Sequence, residues 1–249
     1  MKNKWTFIIA TIVISLICLF IWMSGENQII SNIKIMEKAK ELSGLSFSGV
    51  WETPIMISGD HLKIPFVGKS LKGKKVWQIT VTNGSLGLES KNTGKDHEEK
   101  VYDFKIFLDY TGKKVLMITA VLKNGKNIQS FPKPSIFSAE KQMKDCGDEI
   151  YTGFPKKAPI VNFHDALKSV YNGFGGNPLG APEIEAIYVM RSVFGKEPKA
   201  VWEITLRGIP PFPTFGGNGD SVPVSQRNHL RSTVDAKTGK LLTATTLPQ

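Results

Sequence analysis

The sequence predicts an α+β protein in which an N-terminal transmembrane helix precedes two units, each a helix packed on an antiparallel sheet. Three observations support this fold class: an uncharged run near the N-terminus, two stretches with helical periodicity, and several runs that alternate apolar and polar residues. With 41% hydrophobic and 22% charged residues, the composition is that of a folded protein. We expect an anchor over 1–24, a first domain over 25–122, a linker or covering loop over 123–160, and a second domain over 161–249.

The anchor is predicted from the uncharged run Trp5–Met23. As a helix it would be about 28 Å long, close to the ~30 Å hydrocarbon core of a bilayer. Lys2 and Lys4 precede the run, and the first charge after it is Glu26. The positive-inside rule therefore predicts a single-pass membrane protein with a cytoplasmic N-terminus and an extracytoplasmic bulk.

Two alternatives to the anchor stay open. A cleaved signal peptide has a shorter apolar core and small residues at its cleavage site, and no such pattern follows this run. A lipoprotein would be acylated at Cys18, but the residues before it lack the usual pattern. The other cysteine, Cys146, lies in the exported part, so the two cannot form a disulfide within one chain.

The basic charge of the chain suggests an anionic partner. The net charge is +10, or +8 without Lys2 and Lys4, and 28 of the 32 basic residues are lysine. A lysine cluster is a candidate contact for anionic wall polymer or lipid headgroups; its members are Lys69, Lys72, Lys74 and Lys75. Solvated loops are the alternative interpretation, and the extracytoplasmic compartment disfavours nucleic acid.

The two predicted units contain similar segments. A helix over 27–43, whose periodicity places Ile33 and Ala39 on the apolar face, ends near Gly44. A second helix runs from the N-cap Asn162 to Gly173. The strand Val76–Thr80 matches Val201–Thr205, and each is followed by an Asp-to-Lys turn with a glycine. The matching turns are Asp109–Lys113 and Asp235–Lys240. Order and spacing therefore predict an internal duplication.

The second half resembles a known family. The segment Tyr188–Phe194, the strand Val201–Leu206 with its Trp-Glu-Ile-Thr core, and the hairpin Val234–Leu242 are similar to a PepSY domain. The first half resembles a diverged copy. The resemblance implies small cystatin-like units and a role in restraining or regulating peptidases. The insertion 210–228 and the long stretch 50–75 depart from the family pattern.

The sequence contains no strong catalytic signature. Its four histidines are scattered, and it has no H-E-x-x-H, C-x-x-C or G-x-S-x-G motif. We therefore expect no enzyme activity, no cofactor and no metal, with an unrecognised hydrolase as the less favoured reading. Phe212 and Phe215 lie in a proline-rich arm that could enter a partner's groove. An ordered loop that covers its own sheet is the alternative.

Together these features predict a membrane-anchored, extracytoplasmic binding or regulatory protein. The expected partner is a secreted or envelope peptidase, and the bilayer is contacted through Trp5–Met23. The alternative is an accessory protein that binds anionic wall polymer through its lysines.

Overall fold

The computed structural model describes residues 31–45, 49–62, 71, 73–88, 100–123, 151–174, 181, 183–193, 196–209 and 228–247, and the single residue 15. In this part of the chain there are two α-helices, α1 over residues 31–43 and α2 at Phe163–Gly173. A 3₁₀ turn occupies Gly59–His61. The strands are β1 (Val50–Trp51), β2 (Ile55–Ser58), β3 (Lys75–Ser85), β4 (Val101–Asp109), β5 (Val115–Leu122), β6 (Tyr151–Gly153), β7 (Glu183–Arg191), β8 (Lys199–Ile209), β9 (Asn228–Asp235) and β10 (Leu241–Leu247).

All ten strands belong to one antiparallel sheet. Its order is β1-β3-β4-β5-β7-β8-β9-β10, with β2 also paired to β3 and β6 to β7. The two halves of the chain meet where β5 pairs with β7, from Met117 opposite Ile187 to Val121 opposite Glu183. This pairing extends one sheet through both halves.

The predicted fold class is therefore wrong. We expected two units, each with a helix on its own sheet; the described residues form a single ten-stranded sheet and two short helices. The physical reason is that β5 and β7 would each leave a row of unpaired backbone groups at a sheet edge, and pairing them satisfies both rows. Among the described residues, no helix is long and apolar enough to cross a membrane. The predicted span Trp5–Met23 lies outside them, apart from Ser15.

The two halves of the sheet repeat the same register. Val76 lies opposite Asp109 on β3 and β4, and Val201 lies opposite Asp235 on β8 and β9. Each aspartate then organises a tight turn. Asp109 Oδ1 accepts hydrogen bonds from the backbone N–H groups of Lys113 and Lys114. Asp235 Oδ1 accepts them from the backbone N–H groups of Lys237 and Thr238. These side-chain bonds explain why aspartate stands at both positions.

The helices cover one face of the sheet and form the main core with it. From α1 the buried side chains are Ile35, Ala39 and Leu42, and from α2 they include Phe163, Leu167 and Val170. Trp202 is fully buried beneath α2, and its indole N–H donates to the Val161 carbonyl oxygen at 2.7 Å. Burying side chains of this size contributes about 2 kcal/mol each, so this layer accounts for most of the hydrophobic stabilisation.

The predicted helix ends at Gly44 and Asn162 are confirmed, but the predicted buried face of α1 is wrong at Ile33. Asn162 caps α2 by accepting from the Asp165 amide at 2.8 Å, as predicted. Gly44 ends α1 in a left-handed conformation, and a Cβ there would collide with the Asn162 side chain. Ile33 was expected to face the core, yet it is 52% exposed, since the helix presents Ile35 instead.

Two glycine substitutions test the packing of α1 against the Asp109 turn. Gly112 (φ +68°) and Gly73 (φ +70°) are both left-handed, so alanine costs each about 1 kcal/mol of backbone strain. Only at Gly112 would the new Cβ clash, because Ile35 Cδ1 fills the space. We expect Gly112→Ala to lose a further ~1 kcal/mol, the cost of moving the buried Ile35 side chain away from its preferred rotamer. Urea unfolding of the full chain in mild detergent measures both variants, and equal losses would refute the contact.

Candidate functional site

The face of the sheet opposite the helices carries a band of polar side chains, and we name it the polar face. Antiparallel register places these side chains in rows across the strands, because alternate residues point to the same side. One row runs Asp103, Val121, Glu183, Arg207 and His229. The next row runs Lys105, Thr119, Glu185, Thr205, Arg231 and Thr245. A small apolar cluster lies at one end of this face, around Phe107, Met117 and Val201.

Glu203 is the centre of a buried charge cluster on this face. Its side chain is 2% exposed, and it forms ion pairs with Arg191 at 3.1 Å and with Arg231. The Tyr151 hydroxyl donates to Glu203 Oε2 and accepts from Arg231 Nη2 at 2.9 Å. Arg191 also donates to Thr233 Oγ1. We call these five side chains the Glu203 cluster.

The Glu203 cluster is chemically suited to holding charge out of water. A buried carboxylate is tolerated when its lone pairs are filled, and here two guanidinium groups and a phenol supply the donors. Burial raises the pKa of the Tyr151 hydroxyl, and the charge of Glu203 raises it further, so this tyrosine stays protonated and can only donate to the carboxylate. The Tyr151 hydroxyl is thus a fixed hydrogen-bond donor within the cluster.

A second ion-pair group lies beside it on the same face. Arg207 bridges two carboxylates of β7, with Nη1 2.9 Å from Glu183 and Nη2 3.4 Å from Glu185. Burial raises the pKa of Glu185, while Arg207 opposes that shift. Together the two groups bring three arginines and three glutamates onto three neighbouring strands, so their formal charges balance.

Arginine is used selectively in this chain. It has only four arginines among 32 basic residues, and Arg191, Arg207 and Arg231 all lie on the polar face. A guanidinium presents a planar fork of donors that can bond two acceptors at once, which an ammonium cannot do in the same geometry. The residue type therefore matches the bridging role that each of the three has here.

His229 is buried on the polar face with no described hydrogen-bond partner. It is 1% exposed, it lies opposite Arg207 on β8 and Leu247 on β10, and both ring nitrogens are unpaired within the described part of the chain. Burial lowers the pKa of His229; Arg207 lowers it further, and Glu183 opposes the shift. The imidazole is therefore neutral near pH 7.

The accessible part of the polar face is centred on Val121 of β5. This side chain is 47% exposed and lies between Asp103 of β4 and Glu183 of β7. Lys123 and Asp103 beside it form a loose, exposed pair at 3.9 Å. Protein contact surfaces also combine an apolar centre with a polar rim.

Most of the site residues predicted from the sequence fall outside the part of the chain that the structure describes. Phe212, Phe215, Lys69 and Lys72 lie outside the described residues, as does Cys146. Lys74 and Lys75 are described, and both are exposed at the start of β3. In the described ranges, no group of three or more His, Cys, Asp or Glu side chains is arranged to hold a metal ion.

Sequence reasoning missed the polar face. The sequence does place charged residues at one set of alternating strand positions, namely Glu183, Glu185, Glu203, Arg207 and Arg231. Alternation alone assigns such positions to solvent. The strand order, which brings opposite charges together, is what turns them into a partly buried network.

No family model matches the chain, and no curated protein or solved structure matches it significantly. The resemblance to PepSY domains stays a prediction.

Glu203→Gln tests whether the Glu203 cluster stabilises the fold. The substitution leaves Arg191 and Arg231 buried without a balancing charge, so we expect a loss of about 3 kcal/mol in the free energy of unfolding. The matched control is Glu41→Gln, which breaks an exposed pair with Lys38 and should cost less than about 0.5 kcal/mol. Urea unfolding in mild detergent compares them. Similar small losses in both variants would contradict a role for the cluster in stability.

His229 should make stability depend on pH. Because its pKa is lower in the folded state than the ordinary 6.5, the unfolded chain binds more protons in the window below that value. The contribution of His229 is therefore intact above pH 6.5 and is lost as the pH falls through the folded-state pKa. Glu185 acts in the opposite sense, because its raised pKa adds stability as the pH falls. The free energy of unfolding, measured from pH 7.5 to 4.5, should decline below pH 6.5 in the unaltered chain, and His229→Gln should remove that decline. An unchanged profile in the variant would exclude His229 as its cause.

Proposed function

We propose that this chain is an extracytoplasmic binding or regulatory protein, held at the membrane by its segment Trp5–Met23, that contacts a protein partner through the polar face. The observation that carries the proposal is the mixed-charge surface around Val121. The partner class implied by the PepSY resemblance is a secreted or envelope peptidase, whose activity the contact would modulate.

The geometry supports a preorganised contact surface. Glu183 and Glu185 are held by Arg207, and the Glu203 cluster fixes the strands next to them. Side chains that are already ordered lose little entropy when a partner binds, so more of the contact energy is retained. Val121 supplies apolar area at the centre, and the charges around it supply specificity.

The charge pattern favours a protein over an anionic polymer at this face. The polar face presents Glu183 and Asp103 as well as Lys105 and Lys123, so a polyanion would meet repulsion there. The alternative function, binding of anionic wall polymer, is supported instead by the exposed Lys74 and Lys75 at the start of β3. A contact of that kind would weaken steeply as the salt concentration rises.

Site-specific photo-crosslinking in the cells that make the protein tests the proposal. A photoreactive residue in place of Val121 should form a discrete covalent adduct with a protein, because that position is at the centre of the expected contact. The matched control is Val50, also a valine on a strand, 62% exposed, on the edge strand β1. Mass spectrometry of the adducts identifies the partner.

The outcomes separate the two functions. A protein adduct at Val121 that is absent at Val50 supports the proposal, and an envelope peptidase in that adduct supports the regulatory role. Equal labelling at both positions, or none at Val121, contradicts it. Salt-sensitive retention on anionic wall polymer that Lys74→Gln and Lys75→Gln abolish would replace it with the alternative.

A further inference from the structure

The outer edge of β10 is an edge of the sheet in the described part of the chain. β10 ends the strand order, and no described strand pairs with its outer side. The strand Leu241–Leu247 carries no charge and no proline, and Ala244, Thr245 and Thr246 are exposed. Edge strands of stable monomers are usually protected by charge, proline or shortness. β10 is protected by neither charge nor proline, and from Thr243 to Leu247 it pairs with β9 in an unbroken register.

The position of β10 in the sheet corresponds to that of β5, which is paired on both sides. β5 follows β4 across the Asp109 turn, and β10 follows β9 across the Asp235 turn in the same register. The outer side of β5 accepts β7 as an antiparallel neighbour. At the equivalent position in the first half of the sheet, an antiparallel strand is therefore already paired. Of the two strands, only β10 lacks a described partner on its outer side.

From this correspondence we propose that β10 pairs antiparallel with β10 of a second copy of this chain, so that two sheets become one across a two-fold axis. A two-fold pairing places like residues near each other, and it fails where these are like charges. β10 is neutral throughout, so it meets no such repulsion. With the axis at Thr245, threonine faces threonine, and Ala244 lies opposite Thr246 on the other face.

The opposite edge of the sheet is a poorer partner for β10. It is built from β1 and β2, which span two and four residues and are separated by Glu52, Thr53 and Pro54. Proline cannot donate a ladder hydrogen bond, so β2 offers a shorter and interrupted template. Pairing β10 with that edge would also build an open filament, whereas pairing β10 with itself closes a dimer.

Charge substitutions at the axis test this pairing on the full chain in mild detergent. Sedimentation velocity should show a dimer for the unaltered chain, and Thr245→Lys and Thr245→Asp should each weaken it about ten-fold or more, since like charges then face each other. Mixing the two variants should restore the dimer, because lysine then faces aspartate. The restoration also shows that each variant is folded. Met56→Lys, at a 44% exposed position on β2, is the control that should leave the dimer unchanged.

Disulfide trapping locates the contact independently. In a Cys18→Ser, Cys146→Ser background, single cysteines at Ala244, Thr245 and Thr246 are oxidised, because directly opposed strand residues have Cα separations that suit a disulfide. Crosslinking should peak at Thr245 and be absent for Met56→Cys. A chain that stays monomeric at the highest concentration reached in detergent and forms no disulfide at Thr245→Cys overturns the proposal. A dimer that is unaffected by the Thr245 substitutions also overturns it. A dimer that Met56→Lys dissociates overturns it as well, because it would indicate that β10 pairs with the edge formed by β1 and β2.

Discussion

The pairing of β5 with β7 is the constraint on which the rest of this structure depends. It runs from Met117 and Ile187 to Val121 and Glu183, and it converts two potential edges into the interior of one sheet. On the helix side it joins Ile118 and Ala120 to the second half of the core. On the other side it places Val121 beside Glu183, so the polar face is continuous across the joint. Without it, each half would expose an apolar strand edge to solvent and to other chains.

The Glu203 cluster shows how a sheet face can be buried without becoming apolar. Moving a carboxylate and two guanidinium groups out of water costs several kcal/mol per ion, and only close geometry offsets that cost. Glu203 meets this condition because each of its oxygens has a charged donor. The cluster also fixes β6, since Tyr151 is the residue through which that three-residue strand reaches Glu203. Apolar side chains would bury the same area, but they would not fix one position for Tyr151.

Local structure was largely readable from the sequence, whereas the arrangement of the strands was not. The Asn162 cap, the stop at Gly44 and the two aspartate turns are present because short-range hydrogen bonding and left-handed glycine conformations decide them. The single sheet was missed because nothing in the alternation of Val115–Leu122 or Glu183–Arg191 says which edge each strand will share. The buried face of α1 was missed because Ile33 and Ile35 are equally apolar, and only packing against the Asp109 turn chooses between them. The polar face follows from strand order, so it became visible only with the structure.

The two proposed contacts of this sheet differ in what limits them. A partner at the polar face meets side chains that are already ordered, so affinity there depends on how well it matches the charges around Val121. Pairing at β10 uses backbone hydrogen bonds over a few residues, and a contact that small is weak between freely diffusing chains. The proposed membrane anchor would change this balance, because confinement to a surface raises the effective concentration of one copy near another. With such an anchor the edge of β10 would need only modest intrinsic affinity. Its lack of charge, which would be a liability in a freely diffusing protein, would become usable where neighbouring copies share one surface.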